Sequence, residues 1–112
     1  ILDFAQSYSS FELLENPLEA AADADVLVTD VWASMGQEGE AEIRRKAFAG
    51  YQINRETLSA ARGDAIVLHC LPAHKGEEIT EEVFEANAHV IFEEAENRLH
   101  AQKAIMTLLM RG

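Results

Sequence analysis

Only one cysteine, Cys70, occurs among the 112 residues. An internal disulfide is therefore impossible, and a small stapled secreted domain is excluded. Basic residues are also scarce, 9 against 20 acidic ones, for a formal charge of −11. Such a surface repels a polyanion unless a local basic patch exists. The densest basic stretch, Arg44-Arg45-Lys46, is flanked by Glu40 and Glu42, so no nucleic-acid partner is expected. No apolar run approaches the roughly 20 residues of a membrane-spanning helix, so no membrane partner is expected either. The start, Ile1-Leu2-Asp3-Phe4, has neither the basic nor the apolar part of a secretory signal. A cytoplasmic location and a piece of a longer chain are the expectations. Gly-x-Gly-x-x-Gly and the Walker lysine loop are absent, which removes the usual nucleotide-phosphate cradles.

What is present suits a globular domain: 48% hydrophobic and 26% charged residues. Apolar runs alternate with helical patterns, which predicts an α/β fold. Residues 1–6 read as the tail of a helix, and Phe11 to Leu14 as a short strand. Asn16 can cap a helix that starts at Pro17 and runs through Ala22. Val26 to Asp30 and Ala65 to His69 are β-branched or aliphatic runs that fit buried parallel strands. Between them, Glu40 to Gly50 predicts a helix with Ile43, Ala47, Phe48 and Tyr51 on one stripe. Asn54 predicts the cap of another, ending by Gly63. Thr80 is the expected cap of a helix over Glu81 to Ala86. Val90 to Phe92 reads as a further short strand. Glu94 to Arg111 is the longest helical pattern, with Leu99, Met106 and Leu109 on one side. The expected architecture is an open, mostly parallel sheet in three layers, with helices on both faces.

That order locates function. Ligands of open parallel sheets bind beyond the carboxyl ends of the strands. The segments Asp30 to Gly36 and Cys70 to Gly76 both follow strands, so both belong to one rim. In the second, Cys70 lies beside His69, His74 and Lys75, a setting that predicts a lowered thiol pKa. A buried core thiol is the plain alternative. A cysteine-phosphatase loop would need Arg where Gly76 stands, and Pro72 removes an amide from the phosphate cradle. A structural zinc site would need a second Cys/His pair. The remaining chemical reading is a site for a small polar substrate.

The first loop offers complementary groups. Asp30 can accept from an ammonium, and Ser34 with the amides near Met35 and Gly36 can hold a carboxylate. Together they fit an α-amino acid zwitterion; the alternative is an Asp that merely closes a turn, with Met35 filling a gap. Arg98, near the start of the last helix, can reach the crevice and hold an anion or polarise a carbonyl. Pairing with Glu94 is its other reading.

Three motifs in this order, Asp30 to Gly36 ending Ser34-Met35-Gly36, His69-Cys70-Leu71-Pro72 and Glu96-Asn97-Arg98, resemble the carboxyl-terminal domain of the ornithine carbamoyltransferase family. The likeness extends from about Pro17 to about Met110. It implies a Rossmann-like half of a two-domain enzyme, with residues 1–112 as the ornithine-binding domain. It implies transfer of the carbamoyl group of carbamoyl phosphate to the δ-amine of L-ornithine, giving citrulline and phosphate, a step of arginine metabolism. It implies that Asp30 holds the amino end of ornithine while Ser34 and Met35 contact its α-amino-acid group. Cys70 would lie at the reacting centre, Leu71 would present its backbone to carbamoyl phosphate and the amine, and Arg98 would bind the carbamoyl oxygen. Lys75 stands where the family usually has Arg, and no catalytic role is assigned to it. No metal and no cofactor is implied. The family's Ser-Thr-Arg-Thr phosphate loop and His-Pro motif lie in an amino-terminal domain that these residues do not include. The partners implied are that domain, against which the last helix would pack, and further subunits of a homotrimer. The segment alone would then be inactive. The competing function is an amino-acid-binding or regulatory module of the same fold.

Overall fold

A computed structural model describes residues 1–33 and 38–111. A short helix α1, Leu2–Ala5, opens the chain. Helix α2, Pro17–Ala21, begins as expected: the Asn16 side chain accepts from the Leu18 amide, and Pro17 occupies the first turn, where its missing N–H costs nothing. Strand β1, Val26–Thr29, follows. A 3₁₀ turn at Glu38–Glu40 leads into α3, Ala41–Ala47. Helix α4, Arg55–Ala60, is capped by Asn54, which accepts from the Thr57 amide. Strand β2, Ile66–His69, and helix α5, Glu81–Met110, complete the chain.

β1 and β2 pair in parallel, with Leu27 opposite Val67 and Thr29 opposite His69. A parallel pair needs a long crossover, and α3 and α4 supply it. Side chains alternate along each strand. Leu27, Val67 and His69 therefore share one buried face. The other face is more open, with Val26 at 43% and Val28 at 69% exposure. On the buried side α5 packs against β2, and α2 packs against α4. Val67, Ile79 and Ile91, all at 0% exposure, lie in one cluster with Leu27, Ile53, Val83 and Phe84. The expected open, parallel α/β sheet is thus the fold observed.

Three local expectations are corrected. Phe11 to Leu14 forms no strand, because no described strand lies beside it to complete a ladder. Val90 to Phe92 is not a strand either. It continues α5, a helix of 30 residues. No Gly or Pro interrupts the sequence between Glu81 and Met110, and Val83, Phe84 and Ile91 recur at helical spacing on the buried side. An apolar triplet cannot by itself distinguish a strand from a buried helical turn. The helix after Thr29 is shorter than predicted, and its stripe is not a core face: Ile43 is 69% exposed. Gly50, at φ +100, turns the chain out of it.

Candidate active site

The two rim segments meet. Asp30 and Cys70 each follow the last residue of a paired strand, so the register sets them side by side. The Cys70 thiol donates to Asp30 Oδ1 at 3.1 Å. The same oxygen accepts from the Val31 amide at 2.7 Å. Among the described residues, Asp30 Oδ2 has no hydrogen-bond partner, and the carboxyl is exposed to solvent.

These bonds set the electrostatics. Donation from Cys70, then from the Val31 amide, holds the Asp30 carboxyl below its ordinary pKa. The same contact works in reverse on the thiol. Its hydrogen bond to Asp30, followed by burial and the nearby negative charge, pushes Cys70 above its ordinary pKa. The expectation of a lowered thiol pKa is therefore corrected. The basic neighbours do not face the sulfur. His69 turns inward to Glu78, and Lys75 is paired with Glu85 and Glu81 and lies 4.9 Å from the Phe84 ring centroid. A thiol held protonated is a poor nucleophile, which further disfavours phosphatase chemistry. Gly76 adds to this: at φ +94 it occupies a backbone region unsuited to the Arg of that signature.

The Cys70 loop is fastened from beneath. Leu71 adopts φ +56 and the Leu71–Pro72 peptide is cis. The Leu71 amide donates to His69 Nδ1 at 3.0 Å. His69 Nε2 lies 2.9 Å from Glu78 Oε1, which also accepts from the His74 amide at 2.6 Å. His69 and Glu78 are both at 0% exposure. Gln52 donates to the carbonyls of Gly76 and Glu77, and Arg45 pairs with Glu77 at 2.8 Å. Sequence reasoning missed this support. Gln52, Arg45 and Glu78 are distant in sequence or ordinary in type, and only the His-Cys dipeptide marked the loop.

Arg98 is not drawn into this arrangement by any contact among the described residues. It is exposed on α5 and makes no ion pair with Glu94 there. Glu94, one turn earlier, is near enough that its charge contributes to the rise at Cys70. Ser34 and Met35 lie outside the described residues. His74, Glu77 and Glu78 bring possible metal-ligand atoms within 4.8 Å of one another. Arg45 and His69 already engage the two carboxyls, so the donor set does not suit a resident cation. A cavity of about 310 Å³ lies beside β1, lined by Leu14, Ala20, Val28 and Ile53 among others. Its one titratable side chain is that of Tyr51, so the chemistry belongs to the rim.

Fold and rim together define a parallel α/β domain with a carboxyl–thiol pair at the ends of its strands. Residues 2–109 match the family described as aspartate/ornithine carbamoyltransferase, Asp/Orn binding domain. The chain belongs to that family. It is 58% identical over 108 residues to the ornithine carbamoyltransferase of Thermococcus kodakarensis, covering 96% of this chain and 34% of the relative. The solved ornithine carbamoyltransferase of Pyrococcus furiosus superposes with a TM-score of 0.83 at 53% identity, over 99% of this chain and 36% of that one. The anabolic enzyme of Campylobacter jejuni gives 0.81 at 50% identity, over 85% of this chain and 31% of that one. The chain thus spans about a third of the length of the curated relatives it matches. No helix among the described residues is long and apolar enough to cross a membrane.

Proposed function

We propose that this chain is the ornithine-binding part of a carbamoyltransferase that joins the carbamoyl group of carbamoyl phosphate to the δ-amine of L-ornithine. The observation that carries the reading is the Asp30–Cys70 contact at 3.1 Å, which joins the two motif-bearing loops at one rim. Asp30 offers Oδ2, which no described residue engages, to an ammonium of the substrate. Ser34 and Met35 take the α-amino-acid group. Cys70 and the Leu71 backbone line the reacting centre, and Arg98 binds the carbamoyl oxygen.

The chemistry suits these residue types. An alkyl ammonium has an ordinary pKa near ~10.4 and must lose a proton before it attacks. Attack on the carbamoyl carbon builds negative charge on oxygen, where a guanidinium is most effective. Holding both substrates in register supplies much of the rate, on the order of 7–11 kcal/mol in favourable cases. That gain requires a second half to bind carbamoyl phosphate, so the segment alone turns over negligibly. The outer part of α5 is the surface that half would cover: Leu99, Met106 and Leu109 are 58%, 54% and 78% exposed. A cytoplasmic trimer acting in arginine metabolism completes the proposal.

The test is citrulline formation from ornithine and carbamoyl phosphate. The full-length protein carrying this chain forms it, with aspartate a poor acceptor. Absence of product with ornithine, or preference for aspartate, refutes the reading.

A further inference from the structure

The rim is set by two side chains buried beneath it. Leu71 donates its amide to His69 Nδ1. That nitrogen must then carry a lone pair, which leaves the ring proton on Nε2, facing Glu78 Oε1 at 2.9 Å. Glu78 Oε1 takes a second donor, the His74 amide, at 2.6 Å. One imidazole and one carboxyl thus hold the loop at two points, the amides of Leu71 and His74.

A pair built only for stability would look different. Both side chains are at 0% exposure, and among the described residues Glu78 Oε2 has no partner. Burying such groups is costly, and apolar residues of similar volume commonly serve a core as well or better. Leu71 is itself held at φ +56, a region a branched side chain rarely adopts. Such strain persists where the surroundings over-determine it. With its amide drawn back to the ring, Leu71 leaves its carbonyl as the backbone group for the rim. Among the described residues no donor takes that oxygen.

We propose that His69 and Glu78 are positioning residues of the carbamoyl-transfer site, tying back the Leu71 amide so that the Leu71 carbonyl and the Cys70 thiol stand at the rim beside Asp30. This rests on the function proposed above. Neither side chain touches substrate. His69 acts through Leu71, and Glu78 acts through the tautomer and orientation of His69, as partners of a ring nitrogen do.

The experiment uses the full-length protein and two readouts: hydrogen exchange at the Leu71 amide, and steady-state kinetics for ornithine. His69→Gln keeps a donor toward Glu78 but removes the acceptor for Leu71. His69→Asn keeps an acceptor for the amide two residues on, as Asn does in an Asx-turn. In His69→Gln, Leu71 exchange rises and kcat falls about tenfold or more while the KM for ornithine stays within about threefold, because a small misplacement near the reacting atoms is costly. His69→Asn recovers most of both. Glu78→Leu, which removes the acceptor of both donors, raises Leu71 exchange, whereas Glu78→Gln, which keeps an oxygen there, retains protection; this pair gives a second reading should His69→Gln fail to fold. Wild-type exchange and kcat in His69→Gln overturn the proposal. Equal loss in His69→Asn and His69→Gln, as from a merely structural pair, overturns it too, as does wild-type Leu71 exchange in Glu78→Leu. Failure of the wild-type protein to make citrulline would count against the carbamoyl-transfer reading, whereas Leu71 exchange judges the tie itself.

Discussion

Asp30→Asn is the sharpest perturbation of the rim, because the structure separates its local role from its role toward a ligand. Both local hydrogen bonds, from Val31 and from Cys70, fall on Oδ1. An asparagine oxygen in that place accepts both, so the turn persists. The other oxygen becomes an amide NH₂, which donates where the carboxyl accepted. An ammonium ligand then loses both a charge and an acceptor. A hydrogen bond to a charged group contributes about 1.5–3 kcal/mol. Asp30 is exposed, so water screens it and the lower end applies. At about 1.4 kcal/mol per decade, ornithine affinity falls roughly tenfold. Carbamoyl phosphate affinity and unfolding free energy change little, the latter within about 0.5 kcal/mol as for other surface substitutions. Titration calorimetry on the full-length protein measures the two ligands separately, and denaturant unfolding checks stability. Unchanged ornithine affinity, or an equal loss for both ligands, refutes the reasoning.

Three further outcomes are expected. Arg98→Lys in the full-length protein lowers kcat although the charge is kept, because the planar fork that grips a carbonyl oxygen is lost; wild-type kcat would return Arg98 to a surface role. Cys70 reacts slowly with iodoacetamide at neutral pH and faster in Asp30→Asn, since the carboxyl raises the thiol pKa. The sign follows: the thiol–carboxyl bond is present below the ordinary thiol pKa of about 8.5 and is lost as pH rises through the elevated value. At the acid end, the bond to the Asp30 carboxylate is fully present above about 3.9 and lost as pH falls through its depressed value. An alkylation rate that Asp30→Asn leaves unchanged would contradict this. Asn54→Ala removes the α4 cap, which also accepts from the Thr57 hydroxyl at 3.2 Å; it lowers unfolding free energy by about 1 kcal/mol, and an unchanged denaturation midpoint would argue against the cap.

The elements legible in the sequence were those with local causes. Asn16, Pro17, Asn54 and Thr80 begin helices because their side chains or rings satisfy the first turn without help from elsewhere. The two aliphatic runs paired because little else can bury them. Asp30 and Cys70 were placed at one rim by topology alone, and their contact follows from the register. What escaped reading depends on partners distant in sequence. Phe11 to Leu14 has the composition of a strand but no described neighbour to bond with. Val90 to Phe92 has strand-like side chains, yet the buried face it serves follows helical spacing. The thiol pKa moved opposite to its sequence neighbours because geometry, not adjacency, decides which charge a sulfur meets. The bonds from Gln52 and Arg45 to the loop join residues too far apart for any spacing rule.

Among the described residues, helix α5 is gripped at one end only. Val83, Phe84 and Ile91 anchor its early turns, while every residue from Glu96 to Met110 is exposed. At 1.5 Å per residue the free arm is about 20 Å long. Geometrically it is a cantilever, clamped by its early turns and open along the rest. A second half resting on that arm, as proposed above, would act through the turn after Ile91, which carries Glu94, the residue whose charge reaches Cys70.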